Sequence, residues 1–151
     1  MCIRDRGLPA SAYDWTGPGG YIQNDTQNPS RTGATLSMAG DYTVTVTDVN
    51  TCSGVSTVSV VVNASPVVTA TSNGPVCTGQ TINLQTTSPT GLPASAYDWT
   101  GPGGYIQNDT QNPSRTGATL SMAGDYTVTV TDINNCSGVS TVNVEYNLCL
   151  H

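Results

Sequence analysis

The chain has 151 residues, with 4 arginines, no lysine and 10 acids, for a net charge of −6. A surface of that sign repels phosphate backbones and excludes nucleic-acid binding. No apolar run reaches the ~18 residues of a membrane-crossing helix. Only 9% of residues are charged, and Thr, Ser, Asn and Gly fill the gap, as is typical of secreted repeat proteins.

Residues 7–48 recur without a change as residues 91–132, an offset of 84. Identity then decays: Val49 faces Ile133, Thr51 faces Asn135, Ser59 faces Asn143 and Val61 faces Glu145. A fixed self-similarity marks a tandem array, and this period suits one small independent β-domain. The expected division is residues 1–6, an N-terminally truncated unit over 7–63, a complete unit over 64–147 and a tail over 148–151. The first unit has no equivalent of residues 65–90. "MCIRDR" has no counterpart before Gly91 and no apolar run follows it, so it is not a signal peptide. Its back-translation resembles the end of a transposase sequencing adapter, so it is read as an artefact fused to an internal slice of a longer gene. "NLCLH" also leaves the repeat and is read as foreign.

No window has helical periodicity; alternation of apolar and polar residues predicts strands throughout. In the second unit "VVTATS" (67–72) opens the set and "QTINLQT" offers Ile82 and Leu84. "AYDWT" then offers Tyr97 and Trp99, and "TGATLSM" offers Ala118, Leu120 and Met122. "DYTVTVTD" puts Tyr126, Val128 and Val130 on one face, and "VSTVNVEY" turns Val142, Val144 and Tyr146 inward. The connectors "NGPVCTG", "SPTGLP", "GPGG", "NDTQNPS" and "INNCSG" carry turn residues. Short strands joined this way predict an all-β antiparallel sandwich. Its core is expected around Trp99, Tyr126, Val128 and Leu84, with Trp15 and Tyr42 as the first-unit counterparts.

Cys52 and Cys136 are equivalent by the repeat, Cys77 lies only in the second unit, and Cys2 and Cys149 lie in the suspect ends. The complete unit therefore holds Cys77 and Cys136, and a disulfide between them is expected, with export to an oxidising compartment. Zinc fails for want of ligands, since His151 is the only histidine and no C-x-x-C occurs. The repeat has no histidine and Glu145 is its only glutamate, so no base stands to activate a Ser or Thr, and the segment is read as non-catalytic. "DINNCSG" begins like a calcium loop but breaks at Cys136. An Asx-type turn at Asp132 is the plain reading. A calcium ion shared between repeats through Asp48 or Asp132 stays open. Trp99 is read as core rather than a sugar platform. Tyr105, and by the repeat Tyr21, are the candidate ligand contacts, against the alternative of a loop residue folded over the sheet edge. Asn108-Asp109-Thr110 matches a glycosylation sequon.

A strand with a central Trp99, followed by one that opens on Tyr126 of "AGDYTV", resembles the immunoglobulin-like pattern of a core Trp and a tyrosine corner. The run "SNGPVCTGQTINL…AYDWTGPGGY…QNPS…AGDYTVTVTDINNCSG" resembles the Ig-like, PKD-like repeats of large secreted and surface proteins of Bacteroidetes, which often accompany gliding-motility-type sorting domains and type IX secretion. The resemblance spans about nine-tenths of the chain. It implies stalks, spacers or adhesive modules on the cell surface, whose partners are neighbouring repeats and a surface glycan or protein. The alternative is a carbohydrate-binding array from a secreted glycan-degrading protein. The link "NASPV" (63–67) is expected to be short and stiffened by Pro66.

Overall fold

The structure, a computed structural model, describes residues 9–87, 93–147 and 149. The adapter-like residues 1–6 and, Cys149 apart, the foreign-looking tail from residue 148 lie outside the described residues. The chain divides into two compact units, Met1–Asn63 and Ala64–His151.

The first unit contains β1 (Ala10–Gly17), β2 (Tyr21–Gln23), β3 (Gly40–Asp48) and β4 (Ser53–Val60). They form one antiparallel sheet in the order β2-β1-β3-β4. The turn into β2 is Pro18–Gly20, where Gly19 and Gly20 take φ of 68° and 72°, a conformation open to glycine at no steric cost.

The second unit adds β5 (Ala70–Ser72), β6 (Val76–Cys77) and β7 (Ile82–Thr86) before the repeated sequence. There follow β8 (Ala94–Gly101), β9 (Tyr105–Gln107), β10 (Ser114–Arg115), β11 (Gly124–Asp132), β12 (Ser137–Val144) and β13 (Tyr146–Asn147). One sheet runs β12-β11-β8-β9 and the other β10-β7-β5. A short parallel pair, β13 on β6, ties the end of the unit to its beginning. Alternation along β7 sends Ile82, Leu84 and Thr86 inward and Asn83 and Gln85 outward. Ile82 and Leu84 meet Trp99, Tyr126, Val128, Val130 and Val144 from the facing sheet in one core. Trp99 and Val128 stand directly opposite across the β8–β11 ladder, so the largest core side chain is fixed by register. The second unit is an immunoglobulin-like antiparallel β-sandwich, with aromatic and β-branched residues on the pleats and Gly and Pro at the turns.

Two expectations need correction. Cys77 is bonded to Cys149 with Cα atoms 5.5 Å apart, and Cys136 is unpaired. Strand direction explains it. Cys136 stands just before β12, whereas Cys77 pairs with Asn147 beyond the end of β12. Eleven extended residues put about 35 Å between those places, far outside the ~7 Å reach of a disulfide. Cys52 is also disulfide-bonded. Leu120, expected inside, lies in a 3-10 turn (Leu120–Met122) and is 71% exposed. The chain turns there to aim the Met122 carbonyl at the Tyr126 hydroxyl, 2.9 Å away. Pro66, expected to stiffen the short link, is buried, its carbonyl pressed against Gly138 in the second unit.

Candidate functional site

Two places in the second unit bring candidate site residues together with polar partners. At the first, Tyr126 opens β11 and sends its hydroxyl back to the Met122 carbonyl, closing a tyrosine corner. Arg115 donates from one nitrogen to the Pro102 carbonyl and the Tyr126 hydroxyl, both at 2.9 Å. Its guanidinium lies over the Tyr105 ring, 4.9 Å from the centroid. Tyr105 in turn meets Tyr126 edge-on with centroids 5.6 Å apart. Gly101 makes the approach possible, because a Cβ there would fall 2.5 Å from the Tyr126 ring.

Tyr105 is therefore half-buried between Arg115 and Tyr126 rather than standing out as a flat aromatic platform. Its hydroxyl oxygen is buried with no hydrogen-bond partner. Burial holds its phenol above the ordinary tyrosine range; Tyr126 adds to the rise and Arg115 opposes it. Tyr21 repeats the arrangement in the first unit. It lies 5.5 Å from Tyr42 with Arg31 4.7 Å above it, and Arg31 reaches the Tyr42 hydroxyl at 2.7 Å. Sequence reasoning missed the two arginines. The available signal was that one Arg per repeat, in a lysine-free unit otherwise rich in acids, must have a dedicated partner.

The second place is the turn after β11. Asp132 is 2% exposed, and its Oδ1 accepts from the amides of Asn134 and Cys136 at 2.8 and 2.9 Å. Asn135, at φ 61°, closes the turn. That carboxylate is committed to backbone donors, which is the chemistry of an Asx turn. Asp48 does the same in the first unit, accepting from Asn50 and Cys52 at 2.8 and 2.9 Å. Among the described residues no group of three His, Cys, Asp or Glu could hold a metal. Trp99 is fully buried and donates from Nε1 to the Gln111 carbonyl at 3.2 Å, so it presents no face to a sugar.

The first unit also carries a cleft of about 410 Å³ against its sheet, lined by Trp15, Pro29, Tyr42, Val58 and Val60 among others. Trp15, expected in a core, is half-buried there, and its Nε1 has no hydrogen-bond partner. The physical reason is that the first unit's described strands form a single sheet, which supplies no second layer of its own.

No protein family and no curated protein matches the chain. Solved structures similar to it include an amphioxus IgVJ-C2 molecule, 19% identical over 95% of this chain and 93% of that one, TM-score 0.45. The N-terminal four Ig domains of a Dscam1 isoform are 17% identical over 89% of this chain, TM-score 0.45. Three N-terminal domains of the outer capsid protein Hoc of bacteriophage RB49 are 23% identical over 95% of this chain, TM-score 0.46. The chain spans 37% of the Dscam1 structure and 51% of the Hoc structure. Likeness at this level carries nothing about what the chain binds. The immunoglobulin-like assignment rests on the two facing sheets, the Trp99–Val128 register and the tyrosine corner.

Proposed function

We propose that the chain is a piece of an extracellular bacterial surface protein, in which copies of the 84-residue unit serve as non-catalytic stalk or adhesive modules. The observation that carries this reading is how the convergent polar groups are used. Arg115 and Tyr126 brace the start of β11, and Asp132 braces its end. Each fixes a strand end or its turn, and each recurs in the first unit at Arg31, Tyr42 and Asp48. The Cys77–Cys149 disulfide supports an oxidising compartment. The resemblance of residues 77–136 to repeats of Bacteroidetes surface proteins supports the source and the PKD-like grouping. Neighbouring repeats, and a glycan or protein held by a distal domain, are the partners this reading implies.

Small-angle scattering on chains of three or more complete units tests it. A maximum dimension that grows nearly linearly with the number of units is the expected result. Compact particles, or tight binding of a polysaccharide by a single unit, would move the assignment to a carbohydrate-binding module.

A further inference from the structure

The second unit carries a small polar cleft of about 270 Å³ at β7, in the sheet β10-β7-β5. The alternation that buries Leu84 leaves Asn83 and Gln85 exposed on the outer face. They stand two residues apart, about 7 Å along the strand. Among the described residues neither side-chain amide has a hydrogen-bond partner. The amides beside them are fixed. Asn73 donates from Nδ2 to Thr81 O at 3.0 Å and accepts at Oδ1 from the Asn83 N–H at 2.8 Å. Asn112 accepts at Oδ1 from the Thr86 N–H at 3.0 Å, which sets its side chain and leaves Nδ2 to donate. Among the described residues no charged side chain and no aromatic ring lines the cleft. Its apolar residues, Leu84 and Pro113, are buried.

We propose that this cleft binds a neutral sugar, one ring of a glycan, through the Asn83 and Gln85 amides, with Asn112 Nδ2 and the Ser72 hydroxyl at its rim. A side-chain amide sets a carbonyl acceptor beside an NH₂ donor, and two neighbouring sugar hydroxyls offer the matching donor and acceptor. An ionic ligand finds no opposite charge in the lining. An extended peptide finds no strand to pair with, because β7 is the middle strand of its sheet and strand addition needs an open edge. It finds no exposed apolar pocket for a side chain either. The volume is small beside ordinary ligand clefts and suits a single ring. Without an aromatic platform to stack on, one ring binds weakly, at about millimolar strength, and copies in an array add avidity. This goes beyond the reading above, in which a distal domain holds the glycan, and a failure here leaves the scattering result untouched.

The probes are glucose, galactose, mannose and N-acetylglucosamine, with glucuronate as the charged control, each titrated into the full chain and followed by NMR. At least one neutral sugar should give saturable shifts in the side-chain NH₂ signals of Asn83 and Gln85, with a dissociation constant of about 1–10 mM, while residues 40–60 stay unchanged. Asn83→Ala combined with Gln85→Ala should weaken binding at least about tenfold. Both side chains are exposed, so the fold is kept, and unchanged signals from residues 124–144 check it. Thr71→Ala, across from Gln85 but outside the lining, should leave binding as it is. No saturable shift with any neutral sugar, equal binding by the double variant, or tighter binding of glucuronate would overturn the proposal. So would a Ser- and Thr-rich peptide that shifts the same signals more strongly, because the partner would then be a protein. Micromolar binding of a longer glycan at these residues would support the cleft and move the assignment above from stalk to carbohydrate-binding module.

Discussion

The two units are a controlled experiment built into one chain, since 42 consecutive residues are the same in both. What differs between them is environment. Trp99 and Val128 are fully buried, and Val144 is 1% exposed. Their counterparts Trp15 and Val44 are half-buried, and Val60 is 38% exposed. Yet some features are unchanged. The Tyr-Arg-Tyr stack, the tyrosine corner and the aspartate turn have nearly the same distances in both units. In the first unit those contacts join the sheet to its own loops, and in the second the same contacts form although Arg115 sits on β10 of the other sheet, so they do not depend on a partner layer. Burial of the Trp and Val face is made between layers and follows the presence of β7. The comparison separates local specification from tertiary burial, which sequence alone leaves mixed together.

Substitutions at paired positions break the comparison most sharply. Trp99→Ala removes the largest buried side chain and should cost about 3–5 kcal/mol. Trp15→Ala should cost well under half as much, because less apolar area leaves contact with protein. Urea unfolding of each variant checks this, and equal losses would mean that both faces are covered in solution.

Next in size is the disulfide. Cys149→Ser opens a loop with a separation of 72 residues and should cost the second unit about 2–4 kcal/mol, while Cys136→Ser changes little. Peptide mapping of the oxidised chain should show Cys77 joined to Cys149. A Cys77–Cys136 peptide would overturn the topology given for β6 and β13.

Gly138→Ala should cost about 1–3 kcal/mol, as overpacking does, because a Cβ there runs into the Pro66 carbonyl. Gly54→Ala, at the equivalent place, meets nothing within 4 Å and should be neutral or slightly stabilising. Thermal melts of the two variants decide it.

The smallest effect is alkaline. The Tyr105 phenol is held above its unfolded value by burial. The folded state therefore binds that proton more tightly, and the stability it adds is complete below about pH 10. It is lost as pH rises through the folded value. Tyr105→Phe should soften the decline in melting temperature above pH 10; an unchanged profile would mean that Tyr105 is not the group responsible.

Much of the second unit's fold was legible because alternation is plain along "TINLQT" and "DYTVTVTD", and period-two burial follows from it. The core residues Leu84, Trp99, Tyr126 and Val128 lie where that alternation puts them. The disulfide was not legible, since pairing depends on which end of β12 lies beside β6, and strand direction leaves no mark in cysteine spacing. Leu120 misled because "TGATLSM" alternates like a strand, whereas the Thr119–Ser121 hydroxyl contact at 3.0 Å and the Tyr126 corner favour a 3-10 turn. Tyr105 and Arg115 were not paired in advance because their approach depends on a hairpin and a loop converging. The half-burial of Trp15 was also legible, since the first unit has no equivalent of residues 65–90 and so lacks one wall of the sandwich around that residue.

The central claim is that an identical sequence is held to different degrees by the presence or absence of a facing sheet. Native-state amide exchange tests it most directly, because identical residues with identical neighbours have identical intrinsic rates, and any difference in protection is a difference in opening free energy. NMR resolves the two copies, as does mass spectrometry of peptides that run past Val49 and Ile133, where the sequences part. Val128 and Val130 should exchange at least about a hundredfold more slowly than Val44 and Val46, a gap of about 2.7 kcal/mol. Equal protection in the two units would contradict the account.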